Sequence, residues 1–170
     1  RFARQLAFVA AHSELDVCGS QIDEFEHTPA DAAHSRRVPC EHEEIARFAK
    51  SRNPINHMTV CYRKSAVLAA GNYQHAPLYE DYDLWVRMLL NGCRFANLPE
   101  VLVYARAGDE MYRRRGGWAY AKNELAMQRR FYRAGFLSAA QWAKNVLLRL
   151  PVRLLPNGAR QWVYRVLLRK

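Results

Sequence analysis

The stretch Pro77-Leu78-Tyr79-Glu80-Asp81-Tyr82-Asp83-Leu84-Trp85 places three carboxylates at the first turn of a predicted helix. Four apolar residues recur at helical spacing, and a stop signal follows them: Leu84, Trp85, Met88 and Leu89, then Asn91-Gly92. Glu80 and Asp81 therefore lie near the positive end of the helix macrodipole, which favours their ionised forms. Acidic residues at this position are also common helix caps, so the stretch alone leaves a catalytic base and a capping group both open.

Helices and strands alternate on both sides of this stretch. The periodicity predicts a helix over 1–12, a strand over 15–22, a loop over 27–39, a helix over 41–50 and a strand over 57–62. Ser65 caps a short predicted helix that ends at Gly71. Two short strands over 94–97 and 101–106 are separated by Pro99, which cannot donate to a central ladder. The alternation predicts an α/β sheet.

The pattern becomes wholly helical from Glu110 onward. One predicted helix runs to Gly135, a second starts at Ser138 and is broken by Pro151, and a third follows residues 156–158. The second helix carries an apolar stripe at i, i+3, i+4 spacing: Ala139, Trp142, Ala143, Val146, Leu147 and Leu150. Residues 138–170 contain seven basic side chains and no acidic ones.

The net charge of +10 is unevenly distributed along the 170 residues. Residues 1–110 hold 12 Lys/Arg and 15 Asp/Glu, whereas residues 111–170 hold 14 Lys/Arg and one Asp/Glu. The basic part is therefore expected to face an anionic partner. Apolar stripes bordered by cations favour a membrane interface over nucleic acid, and packing of the stripes on the sheet domain is the competing explanation.

The cysteine pattern and the hydropathy exclude several classes of protein. Cys18, Cys40, Cys61 and Cys93 are far apart and form no CxxC pair, so neither a zinc site nor a disulfide framework is indicated. Reduced cysteines favour the cytoplasm. No run approaches the roughly 18 apolar residues that span a bilayer. We therefore expect a cytoplasmic protein that is soluble or bound to a surface.

Several motifs occur in an order and spacing that resembles a known family. They are the run over 53–65, Gly71-Asn72-Tyr73, the Glu80-Asp81 helix and the run over 95–106. This series resembles the second half of family 2 glycosyltransferases with the GT-A fold, and residues 1–5 and 17–20 resemble the region after that family's DxD motif. The resemblance covers residues 1–110. It implies a partial GT-A mixed sheet with flanking helices, followed over 111–170 by a basic amphipathic helical tail.

The resemblance implies an inverting transfer of a sugar from a nucleotide-diphospho-sugar to an acceptor hydroxyl, with a lipid-linked glycan or polysaccharide precursor as the expected acceptor. Asp81 would be the general base. Glu80 would shape the acceptor side, although Glu80 and Asp83 would oppose the base by repulsion. Tyr82 and Asp83 are otherwise expected to be structural.

Further residues receive substrate roles from the same resemblance. His57 and Asn56 would lie at the acceptor cleft, and Gly71 would lie in a turn where the backbone passes close to the donor sugar. In the family this turn has paired glycines, whereas this chain has Ala70-Gly71-Asn72. Arg106 would hold the diphosphate leaving group, and Arg113-Arg114-Arg115 is a second candidate for that role.

A divalent metal, Mg or Mn, is expected for the complete enzyme, with ligands that this chain does not contain. Asp16 and Asp23 form no DxD, and Asp81-Tyr82-Asp83 lies on a predicted helix. We therefore expect the nucleotide-binding part to precede Arg1 or to lie on another chain, and the present chain to be inactive alone. The expected location is the inner face of the cell membrane, contacted through residues 138–170. The alternative is a non-catalytic basic module that binds nucleic acid or an anionic membrane surface.

Overall fold

The sheet is organised around one long strand, β1. The computed structural model describes residues 1–32, 34–107 and 116–156, together with residues 158, 159 and 163. Within these residues the strands are β1 (Val17–Phe25), β2 (His34–Arg36), β3 (Cys61–Tyr62) and β4 (Phe95–Arg106). The helices are α1 (Phe2–Ala11), α2 (His42–Phe48), α3 (Lys64–Ala69), α4 (Glu80–Leu90), α5 (Trp118–Arg133) and α6 (Ala139–Leu154).

The sheet is mixed. β2 and β3 pair antiparallel with the two ends of β1, while β4 pairs parallel with β1 along its other side. Gly19 of β1 lies opposite Asn97 of β4, and a Cβ at Gly19 would come within 2.1 Å of the Asn97 side-chain oxygen. Close approach of these strands therefore requires glycine at position 19. An α/β architecture with a mixed sheet and flanking helices is confirmed for the described residues.

Three predictions about where strands lie need correction. The predicted loop over 27–39 contains a 3-10 turn and β2, which pairs with β1 from Ile22 to Glu24. The predicted strand over 57–62 is a 3-10 turn at His57–Thr59 followed by the two residues of β3. The strands predicted over 94–97 and 101–106 form one strand. β4 continues through Pro99 because the pairing shifts register between Ser20 and Ile22 of β1, which accommodates the missing donor.

Helix α4 carries the buried center of the core. It begins at Glu80 and ends at Leu90, and Gly92 follows at φ +78, so the predicted stop is confirmed. Trp85 is fully buried among aliphatic and aromatic side chains and contacts Phe95 of β4 edge-on at 6.4 Å between ring centroids. This packing fixes α4 against the sheet.

Helices α5 and α6 pack against the opposite side of α4. Phe131 of α5 meets Tyr82 of α4 with ring centroids 5.0 Å apart. α6 begins as predicted at Ser138, whose hydroxyl accepts the Gln141 N–H in a capping box. The prediction that Pro151 breaks this helix is wrong: α6 continues to Leu154. Pro151 has no N–H to donate to the carbonyl of Leu147 one turn earlier. Both residues are exposed, so water can hydrate this carbonyl instead.

The remaining predictions about the C-terminal part divide between described and undescribed residues. The first helix of this part is described from Trp118, not from Glu110, and residues 108–115 lie outside the described part. The third predicted helix lies almost entirely outside it as well. None of the described helices combines the length and the apolar character needed to cross a bilayer. The division into parts over 1–110 and 111–170 stays a prediction.

Candidate active site

Asp81 lies in the first turn of α4 with its side chain 17% exposed. Its Oδ2 accepts a hydrogen bond from Asn53 Nδ2 at 2.7 Å, and its Oδ1 accepts the backbone N–H of Tyr82 at 2.7 Å. Both partners are N–H donors, which suits an ionised carboxylate. The structure therefore holds Asp81 in a defined orientation while leaving part of it accessible.

His57 stands beside this carboxylate. Its Nδ1 lies 4.0 Å from Asp81 Oδ2, and its Nε2 lies 3.0 Å from the Tyr73 hydroxyl. The imidazole also contacts the Trp85 ring edge-on at 6.1 Å between centroids. Trp85 follows Asp81 by four residues, so both project from one face of α4. His57 is 44% exposed, and an incoming molecule can reach it.

Tyr73 completes what we call the Asp81 group, namely Asn53, His57, Tyr73 and Asp81. The pKa of the Tyr73 phenol is raised by burial first, then by Tyr62 and by the nearby carboxylates. The phenol therefore stays protonated at neutral pH and remains able to donate or accept a hydrogen bond. Asn53 and Tyr73 both lay in motifs that the sequence singled out, but nothing in their spacing indicated that Asn53 contacts Asp81 or that Tyr73 contacts His57.

Glu80 and Gly71 lie close to the Asp81 group in the chain. Glu80 is exposed at the first position of α4. Gly71 lies in the turn after α3 at φ +82, a conformation that favours glycine. Arg87 of α4 donates to the carbonyls of Ala70 and Asn72, so α4 itself holds this turn in place.

Asp83 has a structural environment, as predicted for it. It is 1% exposed and forms ion pairs with Arg87 at 2.9 Å and with Arg130 of α5 at 2.8 Å. The expected repulsion between Asp83 and the candidate base is therefore offset by two guanidinium groups. Arg130 also contacts Gln74 in the turn before α4, so the pair connects α5 to the segment that carries Tyr73.

Asn56 and Arg106 lie apart from the Asp81 group. Asn56 is fully buried and donates to the Ser20 carbonyl at 2.8 Å, which ties the 3-10 turn to β1. Arg106 is exposed at the end of β4, where its guanidinium lies over the Phe25 ring and reaches the His27 carbonyl at 3.4 Å. Substrate roles for both stay predictions, and the position of Asn56 argues for a structural one. Arg113-Arg114-Arg115 lies outside the described residues.

A second buried polar cluster lies behind α4. Glu124 of α5 is fully buried and pairs with Arg149 at 2.7 Å and with Arg153 at 2.8 Å, both from α6. Tyr79, the residue before α4, donates its hydroxyl to Glu124 Oε2 at 2.6 Å. Glu124 is the one acidic residue among 14 basic ones in residues 111–170, and this isolation among basic residues was the available signal of a buried counter-ion.

Metal ligands are not grouped in the described part of the chain. There, no three His, Cys, Asp or Glu side chains lie close enough together to hold a metal ion. These residues do not form a metal site of their own, so we derive no chemical step through a metal. A shallow concavity of about 370 Å³ between α1 and β4 is lined by Arg4, Phe8 and Glu100 among others, and contains no member of the Asp81 group.

Three curated proteins align with nearly all of this chain. A UDP-Gal:alpha-D-GlcNAc-diphosphoundecaprenol beta-1,3-galactosyltransferase of Escherichia coli is 36% identical over 170 residues, and the chain covers 62% of it. An uncharacterized glycosyltransferase of Haemophilus influenzae is 41% identical over 170 residues, with 63% of it covered. The amylovoran biosynthesis glycosyltransferase AmsE of Erwinia amylovora is 36% identical over 167 residues, which are 96% of this chain and 61% of that protein.

These relatives are glycosyltransferases. Their identity to this chain extends through α5 and α6 as well as the sheet, and the chain spans less than two thirds of their length. No protein-family model matches the chain. No solved structure matches it either.

Proposed function

We propose that this chain is the acceptor-side portion of an inverting glycosyltransferase of family 2 with a partial GT-A fold. The observation that carries the proposal is the Asp81 carboxylate, oriented by two N–H donors and partly open beside His57. The names of the relatives support a transferase, and the series of motifs around Asp81 supports this placement of the base.

Asp81 is the general base in this proposal. It removes the proton from the acceptor hydroxyl as the oxygen attacks the anomeric carbon of a nucleotide-diphospho-sugar. The new glycosidic bond forms as the bond to the nucleoside diphosphate breaks, and the diphosphate leaves with the bonding electron pair. A single displacement inverts the anomeric center. General base assistance contributes typically about 10² to 10⁴ in rate.

The neighbouring side chains are proposed to receive the acceptor. Both nitrogens of His57 are polar, and its partner Tyr73 keeps a neutral hydroxyl, so the pair can hydrogen-bond a polyhydroxylated sugar next to Asp81. Glu80 is exposed at the same helix start and is proposed to shape the acceptor side. Gly71 is proposed to lie in the turn that passes close to the donor sugar. Arg106 is proposed to hold the diphosphate leaving group.

The acceptor class is inferred from one relative. The Escherichia coli protein is named for an acceptor in which GlcNAc is linked through a diphosphate to undecaprenol. We propose an acceptor of the same kind for the protein that contains this chain, a glycan precursor on a lipid diphosphate. A divalent metal bound by residues outside this chain belongs to the same proposal, as does the dependence of activity on that further part.

A lipid-linked acceptor lies in a membrane, so the protein should contact the membrane surface. One exposed face of α6 is suited to that contact. Leu147, Leu148, Pro151 and Leu154 are exposed on one side of this helix, together with Lys144. This face differs from the predicted stripe, because Trp142 and Leu150 are half-buried toward the protein. Arg149 and Arg153, which lie in the basic part predicted to face an anionic partner, point inward to Glu124. We propose peripheral contact with the inner membrane face through the exposed leucines.

The test replaces Asp81 by Asn in the full-length protein. The isosteric amide keeps the size of the side chain but cannot accept the proton, so turnover should fall by about 10² to 10⁴. Binding of the nucleotide-sugar, measured by calorimetry, should be retained. Asn91→Asp at the other end of α4 is the control and should keep activity. Normal turnover by Asp81→Asn would refute the proposal.

A further inference from the structure

The Asn53 side chain is hydrogen-bonded to the candidate base. Its Nδ2 donates to Asp81 Oδ2 at 2.7 Å, whereas the nearest nitrogen of His57 is 4.0 Å from the same oxygen and beyond hydrogen-bond distance. Asn53 thus provides a side-chain hydrogen bond to this carboxylate, and the backbone N–H of Tyr82 provides a second hydrogen bond.

The orientation of the Asn53 amide is fixed by its own surroundings. Its Oδ1 accepts the backbone N–H of Ile55 at 3.2 Å, so the amino group must face Asp81. Its backbone carbonyl accepts from Arg36 of β2 at 3.0 Å. Pro54 follows directly and restricts Asn53 to extended conformations. Three separate constraints therefore present one N–H to the carboxylate.

We propose that Asn53 is a positioning residue for the proton transfer. It holds Oδ2 of Asp81 through one N–H, so that the base meets the acceptor hydroxyl in one orientation. This inference rests on the proposed function, since it assumes that Asp81 is the base. Among the described residues, the titratable groups near Asp81 include His57, Tyr73, Glu80 and Tyr82.

A charge substitution separates this role from a merely structural one. Asn53→Asp replaces the N–H donor with a second carboxylate facing Asp81, which disfavours ionisation of the pair. The acidic limb of the kcat/KM profile should move upward by about one pH unit or more. Asn53→Ala should lower kcat about 10- to 100-fold while nucleotide-sugar binding is unchanged. Asn91→Asp adds the same charge about 15 Å from Asp81 along α4 and should leave the profile unchanged.

The outcomes distinguish this inference from the proposed function. Suppose that Asp81→Asn is inactive, that folded Asn53→Ala has wild-type kcat, and that folded Asn53→Asp has an unmoved acidic limb. These results would overturn the role of Asn53 and leave Asp81 as the base. Normal turnover by Asp81→Asn would overturn both. If Asn53→Asp does not fold, judged by circular dichroism, kcat of Asn53→Ser and Asn53→Ala provides the test. Neither side chain can span the distance to Asp81, so kcat should fall in both, and wild-type kcat in both would overturn the role of Asn53.

Discussion

Tyr79 donates its hydroxyl to Glu124 Oε2 across 2.6 Å and so joins the residue preceding α4 to the buried acid of α5. The same carboxylate receives Arg149 and Arg153 from α6. The start of the helix that carries Asp81 is therefore fixed from behind by both C-terminal helices. The sequence assigned the basic residues of the C-terminal part to an external anionic partner. Two of them, Arg149 and Arg153, are instead neutralised inside the protein by Glu124.

We expect Glu124→Gln to destabilise the protein strongly. The amide leaves the guanidinium groups of Arg149 and Arg153 without their buried counter-charge, and breaking a buried pair in this way costs about 3 to 5 kcal/mol. Glu100→Gln is the control, because Glu100 pairs with Arg4 at an exposed site and should change stability by less than about 1 kcal/mol. Urea unfolding measures both. Equal stability of the two variants would contradict the proposed importance of the cluster.

The same cluster predicts a dependence of stability on pH. Burial alone would raise the pKa of Glu124, but Arg149, Arg153 and the Tyr79 hydroxyl together hold it below the ordinary value of 4.5. A carboxylate whose pKa is lower in the folded state than in the unfolded state contributes its full stabilisation of the fold when the pH is above the unfolded-state pKa. This contribution is lost as the pH falls through the folded-state pKa.

Thermal unfolding of the wild type and Glu124→Gln, compared from about pH 7 to about pH 3, tests this dependence. The stability difference should stay constant down to about pH 5 and shrink below that. A difference that grows on acidification would show that the carboxylate is not stabilised by its partners.

The same substitution should destabilise the protein more at Asp83 than at Asp81. Asp83→Asn removes the charge that pairs with Arg87 and Arg130 at a site that is 1% exposed. Because Arg130 is 38% exposed and can be hydrated, the cost should be about 2 to 3 kcal/mol. Asp81→Asn affects a side chain that is more open and should change the free energy of unfolding by about 1 kcal/mol or less. Chemical denaturation of both variants measures the contrast, and a larger loss for Asp81→Asn would make its role structural.

The exposed face of α6 is tested with lipid vesicles. Leu147 is 72% exposed and Leu148 is 62% exposed, so replacing both by Glu should leave the fold intact. The substitutions remove apolar area and add two negative charges, and binding to vesicles with anionic lipid should fall by at least about 10-fold. Leu68→Glu, at a 55% exposed leucine of α3, is the control. Unchanged flotation of the double variant would refute the membrane contact.

Local sequence predicted the elements whose signals are local. The apolar spacing after Asp81 and the Asn91-Gly92 stop gave α4 with its correct ends, and Ser138 marked the start of α6. Proline was the main source of error. Pro99 and Pro151 were expected to interrupt their elements, but each lies where the neighbouring structure accommodates the lost hydrogen bond, a strand register shift in one case and an exposed helix face in the other.

The sequence by itself determined that a carboxylate would stand at the start of an amphipathic helix within an α/β chain, because helix periodicity and capping depend on residues a few positions apart. Only the tertiary structure decided which groups surround that carboxylate. Asn53 donates to it, His57 stands beside it, and Glu124 attracts Arg149 and Arg153, through contacts between segments far apart in the chain. Such contacts depend on how the helices pack on the sheet, and residue spacing carries no record of that packing.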